Sequence, residues 1–107
     1  MAKLKIKESD LAQQVEELLN LYGWCWCHFR PAIERSGKWL TALSGQSGFP
    51  DYIAARGHRL LIFELKSEKG KLSEVQEMWL HVLDQCPIEV HTWRPSDWEE
   101  IVGTLRR

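Results

Sequence analysis

The sequence predicts an α/β fold with the element order αβββαβα, a mixed sheet flanked by helices. Three features carry that expectation: an amphipathic stripe near the start, a tight hairpin at the centre, and a strand, helix and strand in succession after it. From Glu8 to Tyr22 apolar side chains fall at Leu11, Val15, Leu18, Leu19 and Tyr22, which is one face of a helix, and Gly23 supplies the stop. Gly57-His58 lies between two apolar runs and signals a type II′ hairpin, because glycine accepts the positive φ of the first turn position. Residues 59 to 93 read as strand, helix and strand, so the last strand should run parallel to its predecessor through a right-handed crossover.

The other elements follow in order. Met1 to Lys7 alternates lysine with apolar residues and reads as a tail or a short lead-in. Trp24 to Phe29 is the first strand, with aromatic and Cys side chains on both faces, so both faces should be covered. Arg30 to Gly48 is interrupted by Pro31, Gly37, Gly45 and Gly48, with Lys38 to Leu43 a short strand between loops. Ser73-Glu74-Val75-Gln76 is a capping box that opens the second helix, whose apolar side is Val75, Met78, Trp79, Val82, Leu83 and Cys86. Pro87 to Trp93 alternates as a strand, with Ile88, Val90 and Thr92 on one face and Glu89, His91 and Trp93 on the other. Ser96-Asp97-Trp98-Glu99 reads as a second capping box, opening a final helix through Leu105 that covers one sheet face.

Residues 1–107 are enough for one domain and one core. A formal charge of −1 argues against a protein whose whole surface embraces nucleic acid, so positive charge would have to be concentrated locally. Cys25, Cys27 and Cys86 are odd in number and lack zinc-ligand spacing; they read as core thiols in a reducing compartment. No apolar run approaches the roughly 20 residues that span a bilayer, and no targeting segment is visible, so the expectation is a cytoplasmic protein without membrane contact.

The hairpin places the chemistry. With Gly57 and His58 in the loop, Arg56 faces Arg59, Ala55 faces Leu60, Ile53 faces Ile62 and Asp51 faces Glu64. Opposed side chains have Cβ atoms about 5 Å apart, so the two carboxylates would repel unless a cation sat between them. Hard oxygen ligands suit Mg²⁺ or Mn²⁺. Lys66 shares the face of Glu64, while Leu65 turns away and leaves its carbonyl near the ion. The bland alternative is an Asp after Pro that only starts a strand. Extending the first helical stripe backwards reaches Glu8 at the helix start, a fourth ligand or simply a favourable charge at a helix N-terminus, while Glu16 and Glu17 should project elsewhere. Arg30, Arg35, Lys38 and Trp39 suit phosphate contact and base stacking, or form an ordinary solvated loop around one buried tryptophan.

Gly48-Phe49-Pro50-Asp51, Glu64-Leu65-Lys66, Gly70-Lys71-Leu72-Ser73 and Gln76 together resemble the VRR-NUC branch of the PD-(D/E)XK nuclease superfamily. The likeness extends to His28-Phe29-Arg30-Pro31-Ala32 and to Trp93-Arg94-Pro95-Ser96-Asp97-Trp98, so it covers most of the chain. It implies a restriction-endonuclease-like core and a metal-dependent phosphodiesterase acting on DNA, in a family that includes Holliday-junction resolvase-like enzymes. It also implies that Glu8 is the acidic residue of the first helix and that Gln76 belongs to the active site, where the capping box offers a rival explanation for the same glutamine. His28, Arg30 and Lys71 lie in matching segments and join Lys38 and Trp39 as candidate DNA contacts.

Under this reading Asp51, Glu64, the Leu65 carbonyl and Glu8 hold Mg²⁺, with Mn²⁺ able to substitute. Lys66 either orients or deprotonates the attacking water, or stabilises charge on the phosphoryl oxygens. A homodimer, through an exposed tryptophan or the final helix, would set two cutting sites on opposed strands of branched DNA. The competing class is a non-catalytic nucleic-acid-binding module that keeps the fold. A phosphate-loop protein is disfavoured, since neither GxGxxG nor GxxxxGK[ST] occurs.

Overall fold

The computed structural model describes residues 6–29 and 44–107 in full and residues 32–33 and 39–40 as backbone. The elements are α1 (Glu8–Leu21), β1 (Cys25–His28), β2 (Ala32–Ile33), β3 (Trp39–Leu40), β4 (Tyr52–Arg56), β5 (Arg59–Leu65), α2 (Glu74–Asp84), β6 (Glu89–Trp93) and α3 (Trp98–Arg106). The main sheet has the order β1-β4-β5-β6, and β2 and β3 form a separate small hairpin. β1, β4 and β5 are antiparallel neighbours, and β6 lies parallel to β5 as the crossover requires. The molecule is thus mixed α/β, with a four-stranded mixed sheet and three helices.

The hairpin has the expected register: Arg56 pairs with Arg59, Ala55 with Leu60 and Ile53 with Ile62. Gly57 has φ +60° and His58 has no positive φ, the combination a type II′ turn requires. Period-2 alternation then sorts the sheet into two faces. Tyr52, Ala54, Leu61, Phe63, Leu65 and Trp93 pack with Leu11, Val15 and Leu19 of α1 and with Ile101 and Leu105 of α3 into one core. Burial of each of the larger aliphatic and Phe side chains contributes roughly 1.5–3 kcal/mol. A row of rings crosses this face, His28 on Tyr52 at 4.1 Å and Tyr52 on Phe63 at 4.8 Å, with Trp93 tilted 4.9 Å from Phe63.

Three expectations are corrected. β1 is an edge strand covered on one face only, so Cys25 and Cys27 are exposed, as is Cys86; none is a core thiol. α2 is rotated from its apolar reading: Gln76, Trp79, Leu80 and Leu83 turn inward, and Val75, Met78 and Val82 stay exposed. The final helix is preceded by a 3₁₀ turn, Pro95–Asp97, in which Asp97 accepts the Arg94 amide at 2.9 Å; Ser96 makes no cap. No described Trp is exposed, the Trp39 side chain lies outside the described residues, and α3 buries Ile101, Thr104 and Leu105. The lead-in through Lys5 lies outside the described residues. No helix of the described residues is long and apolar enough to cross a membrane.

Candidate metal centre

Asp51 is delivered by a loop clamped onto α2. The Trp79 indole N–H donates to the carbonyls of Gln46 and Ser47 at 3.2 and 3.0 Å. Gly48 takes φ +98°, and a Cβ there would lie 2.7 Å from the Val75 backbone, so only glycine lets the loop approach this closely. Pro50 is fully buried. The Asp51 carbonyl then accepts the Phe29 amide at 2.7 Å, which extends the β1–β4 ladder by one step.

Glu64 arrives from the opposite side. The Tyr52–Phe63 pairing puts it across from Asp51, on the face away from the aromatic row. It is 1% exposed, an unusual place for a carboxylate. Its Oε1 accepts from Gln76 Nε2 at 3.2 Å, and its Oε2 is buried without a donor. Burial, and then the Asp51 carboxylate beside it, push the Glu64 carboxyl up to about 8; Lys66 pulls it back by less. Glu64 therefore binds its proton more tightly than an ordinary carboxyl when nothing else neutralises its charge.

Gln76 closes the capping box and also reaches Glu64. Its side-chain oxygen accepts the Ser73 amide at 2.9 Å and the Ser73 hydroxyl accepts the Gln76 amide at 3.3 Å, closing the capping box. With the oxygen so engaged, the NH₂ group faces Glu64. Lys66 follows Glu64, half-buried, its amide donating to the Trp93 carbonyl at 2.9 Å. The turn after it is fixed from β6: Arg94 Nη1 donates to the carbonyls of Ser67 and Gly70, both at 2.6 Å, and the Ser96 amide donates to the Glu68 carboxylate. Leu65 buries its side chain in the core, so only its backbone carbonyl is left for an ion.

Glu8 is not brought to this pair. It is exposed at the first position of α1. α1 runs back along β1 after a tight turn, and Glu16 already lies level with the last β1 residue, so Glu8 is about 12 Å further along the axis. Among the described residues no group of three or more His, Cys, Asp or Glu side chains is placed to hold a metal ion. The α1 carboxylate that does reach the sheet is Glu16, expected to project elsewhere: it accepts from the Tyr52 hydroxyl at 2.5 Å and meets His28 Nδ1 at 3.3 Å, on the aromatic face opposite Glu64.

The candidate DNA contacts are spread out. His28 is half-buried in the aromatic row, and Lys71 is exposed in the loop before α2. Arg30 and Lys38 lie outside the described residues, and Trp39 is described only as backbone of β3. Sequence reasoning missed the Trp79 clamp, the Arg94 bridge and the Glu16–Tyr52 bond. Only Glu16 carried a signal, since it falls beside Val15 and between Ala12 and Leu19 on the helix.

As a ligand set, Asp51 and Glu64 with one backbone carbonyl and water fit a hard dication, and the donorless Glu64 Oε2 is the atom such an ion would satisfy. A scan against protein-family models matches no family. Searches of curated proteins and of solved structures return no significant match either.

Proposed function

We propose that this chain is a Mg²⁺-dependent endodeoxyribonuclease with a restriction-endonuclease-like core of the VRR-NUC type, acting on branched DNA such as Holliday junctions. The observation that carries the reading is the opposed Asp51–Glu64 pair, one member buried with an unsatisfied oxygen, with the Lys66 charge close enough to act on Glu64. Asp51, Glu64 and the Leu65 carbonyl would hold the ion. When bound, Mg²⁺ supplies polarisation of a phosphoryl oxygen and a more acidic attacking water. Gln76 orients the Glu64 carboxylate, and Lys66 places an ammonium where it holds the water or offsets charge on the phosphate.

The placement of Glu8 favours a second reading, a nucleic-acid-binding module that does not cut, because two carboxylates are a lean set for phosphodiester hydrolysis. A cleavage panel over branched and linear DNAs in Mg²⁺ or Mn²⁺ separates the two. The nuclease reading expects cutting of at least one branched substrate, lost on chelation and reduced roughly 100-fold or more in Asp51→Asn. A wild type that binds these DNAs and cuts none establishes the module instead.

A further inference from the structure

We propose that Phe29 is a stacking platform for an unpaired nucleobase beside the phosphate held at the carboxylate pair. The proposal rests on the nucleic-acid reading of that site and names the kind of substrate it takes. Phe29 is 48% exposed at the end of β1, where a solvent-facing strand end would ordinarily be polar. Its amide is bonded to the Asp51 carbonyl at 2.7 Å, so its backbone cannot move without moving the ligand. His28 before it turns toward Tyr52 and the aromatic row, and alternation sends Phe29 to the other face, the one that carries Asp51 and Glu64.

The ring is also braced. It meets Phe49 edge to face at 5.8 Å and 76°, and Phe49 meets Trp79 at 5.2 Å and 81°. Trp79 is in turn anchored by its two hydrogen bonds to the loop carbonyls. An edge-to-face contact takes up at most one face of a ring, so with Phe29 48% exposed a face of it is left, among the described residues, for a flat apolar partner. Inside a paired duplex both faces of each base are already stacked. A base freed at a branch, gap or frayed end has a face to offer, and stacking of this kind accepts any base. The site would therefore prefer substrates with an unpaired nucleotide next to the scissile phosphate.

The test uses oligonucleotides carrying the fluorescent base 2-aminopurine, unpaired at a branch, with Asp51→Asn protein as the non-cutting background. Binding should quench the probe; Phe29→Ala and Phe29→Leu should abolish the quench and weaken binding about ten-fold, and Phe29→Trp should keep both. In the Mg²⁺ cleavage assay, Phe29→Leu should lose about ten-fold more activity on a substrate with an unpaired base than on a fully paired duplex. Leucine keeps apolar bulk without a π face, so equal quenching by Phe29→Leu and wild type overturns the proposal even if Phe29→Ala is poorly folded. Equal losses on both substrates overturn it as well. A Phe29-dependent quench in a protein that cuts nothing supports stacking while removing the nuclease reading, which keeps the two failures apart.

Discussion

Glu64 is buried next to a second acid, and its raised proton affinity sets the direction of a pH effect. A carboxyl that rises from its ordinary value of 4.5 to about 8 on folding binds its proton more tightly in the folded state. Its contribution is complete below about pH 4.5 and is lost as pH climbs through 8. His91 opposes this in part: burial lowers its affinity for a proton, so its contribution is present at higher pH and lost as pH falls through the folded value. The difference between variants isolates Glu64. Glu64→Gln should melt on the order of 10 °C above wild type at pH 8 without metal, and the gap should close toward pH 5. Mg²⁺ should raise the wild-type melting temperature more at pH 8 than at pH 5, since the ion takes the ionised form. Thermal melts across that range check both; a wild type that gains stability relative to Glu64→Gln as pH rises would reverse the assignment.

At the level of elements, the loops rather than the strands hold the site. Arg94 ties Ser67 and Gly70 across the turn that leaves Lys66, and charged hydrogen bonds of this kind are worth roughly 1.5–3 kcal/mol each. Arg94→Ala should therefore lower kcat more than it raises KM, because Lys66 loses its fixed position while substrate contacts persist. Steady-state kinetics on the preferred substrate reads that split, and a change confined to KM would make Arg94 a substrate contact instead. Gly48→Ala should destabilise by roughly 2 kcal/mol or more, from the positive φ and the clash with Val75, as denaturant melts would show.

The hairpin register and the Asp51–Glu64 opposition were legible because turn chemistry is local: one glycine of positive φ sets every pair downstream. The rotation of α2 was not, since a hydrophobic count follows Val75, Met78 and Val82, whereas the helix is held by a glutamine on Glu64 and an indole N–H on two carbonyls. Backbone carbonyls carry no residue signature, so the partners of Arg94 and Trp79 left no trace in the sequence.

Across the whole molecule the two sheet faces differ. One is sealed by α1 and α3; the other carries α2, which buries no residue fully and shows Val75, Met78 and Val82. Which α1 carboxylate meets the sheet depended on how far the helix overruns β1, a long-range length that periodicity cannot report; Glu16 meets it, on the aromatic face and not at the Asp51–Glu64 pair. If two copies of the chain associate through the exposed α2 stripe, light scattering at micromolar concentration should find twice the chain mass and Val82→Glu should restore the single-chain mass; the single-chain mass in the wild type would rule that contact out without touching the site.

Calorimetric titration of Mn²⁺ into the protein at pH 8 tests the carboxylate pair most directly. The expected result is a saturable site in the wild type, weakened at least about ten-fold in Asp51→Asn and in Glu64→Gln. Equal Mn²⁺ affinity in all three proteins, or no binding by a folded wild type, would contradict a shared ion between residues 51 and 64.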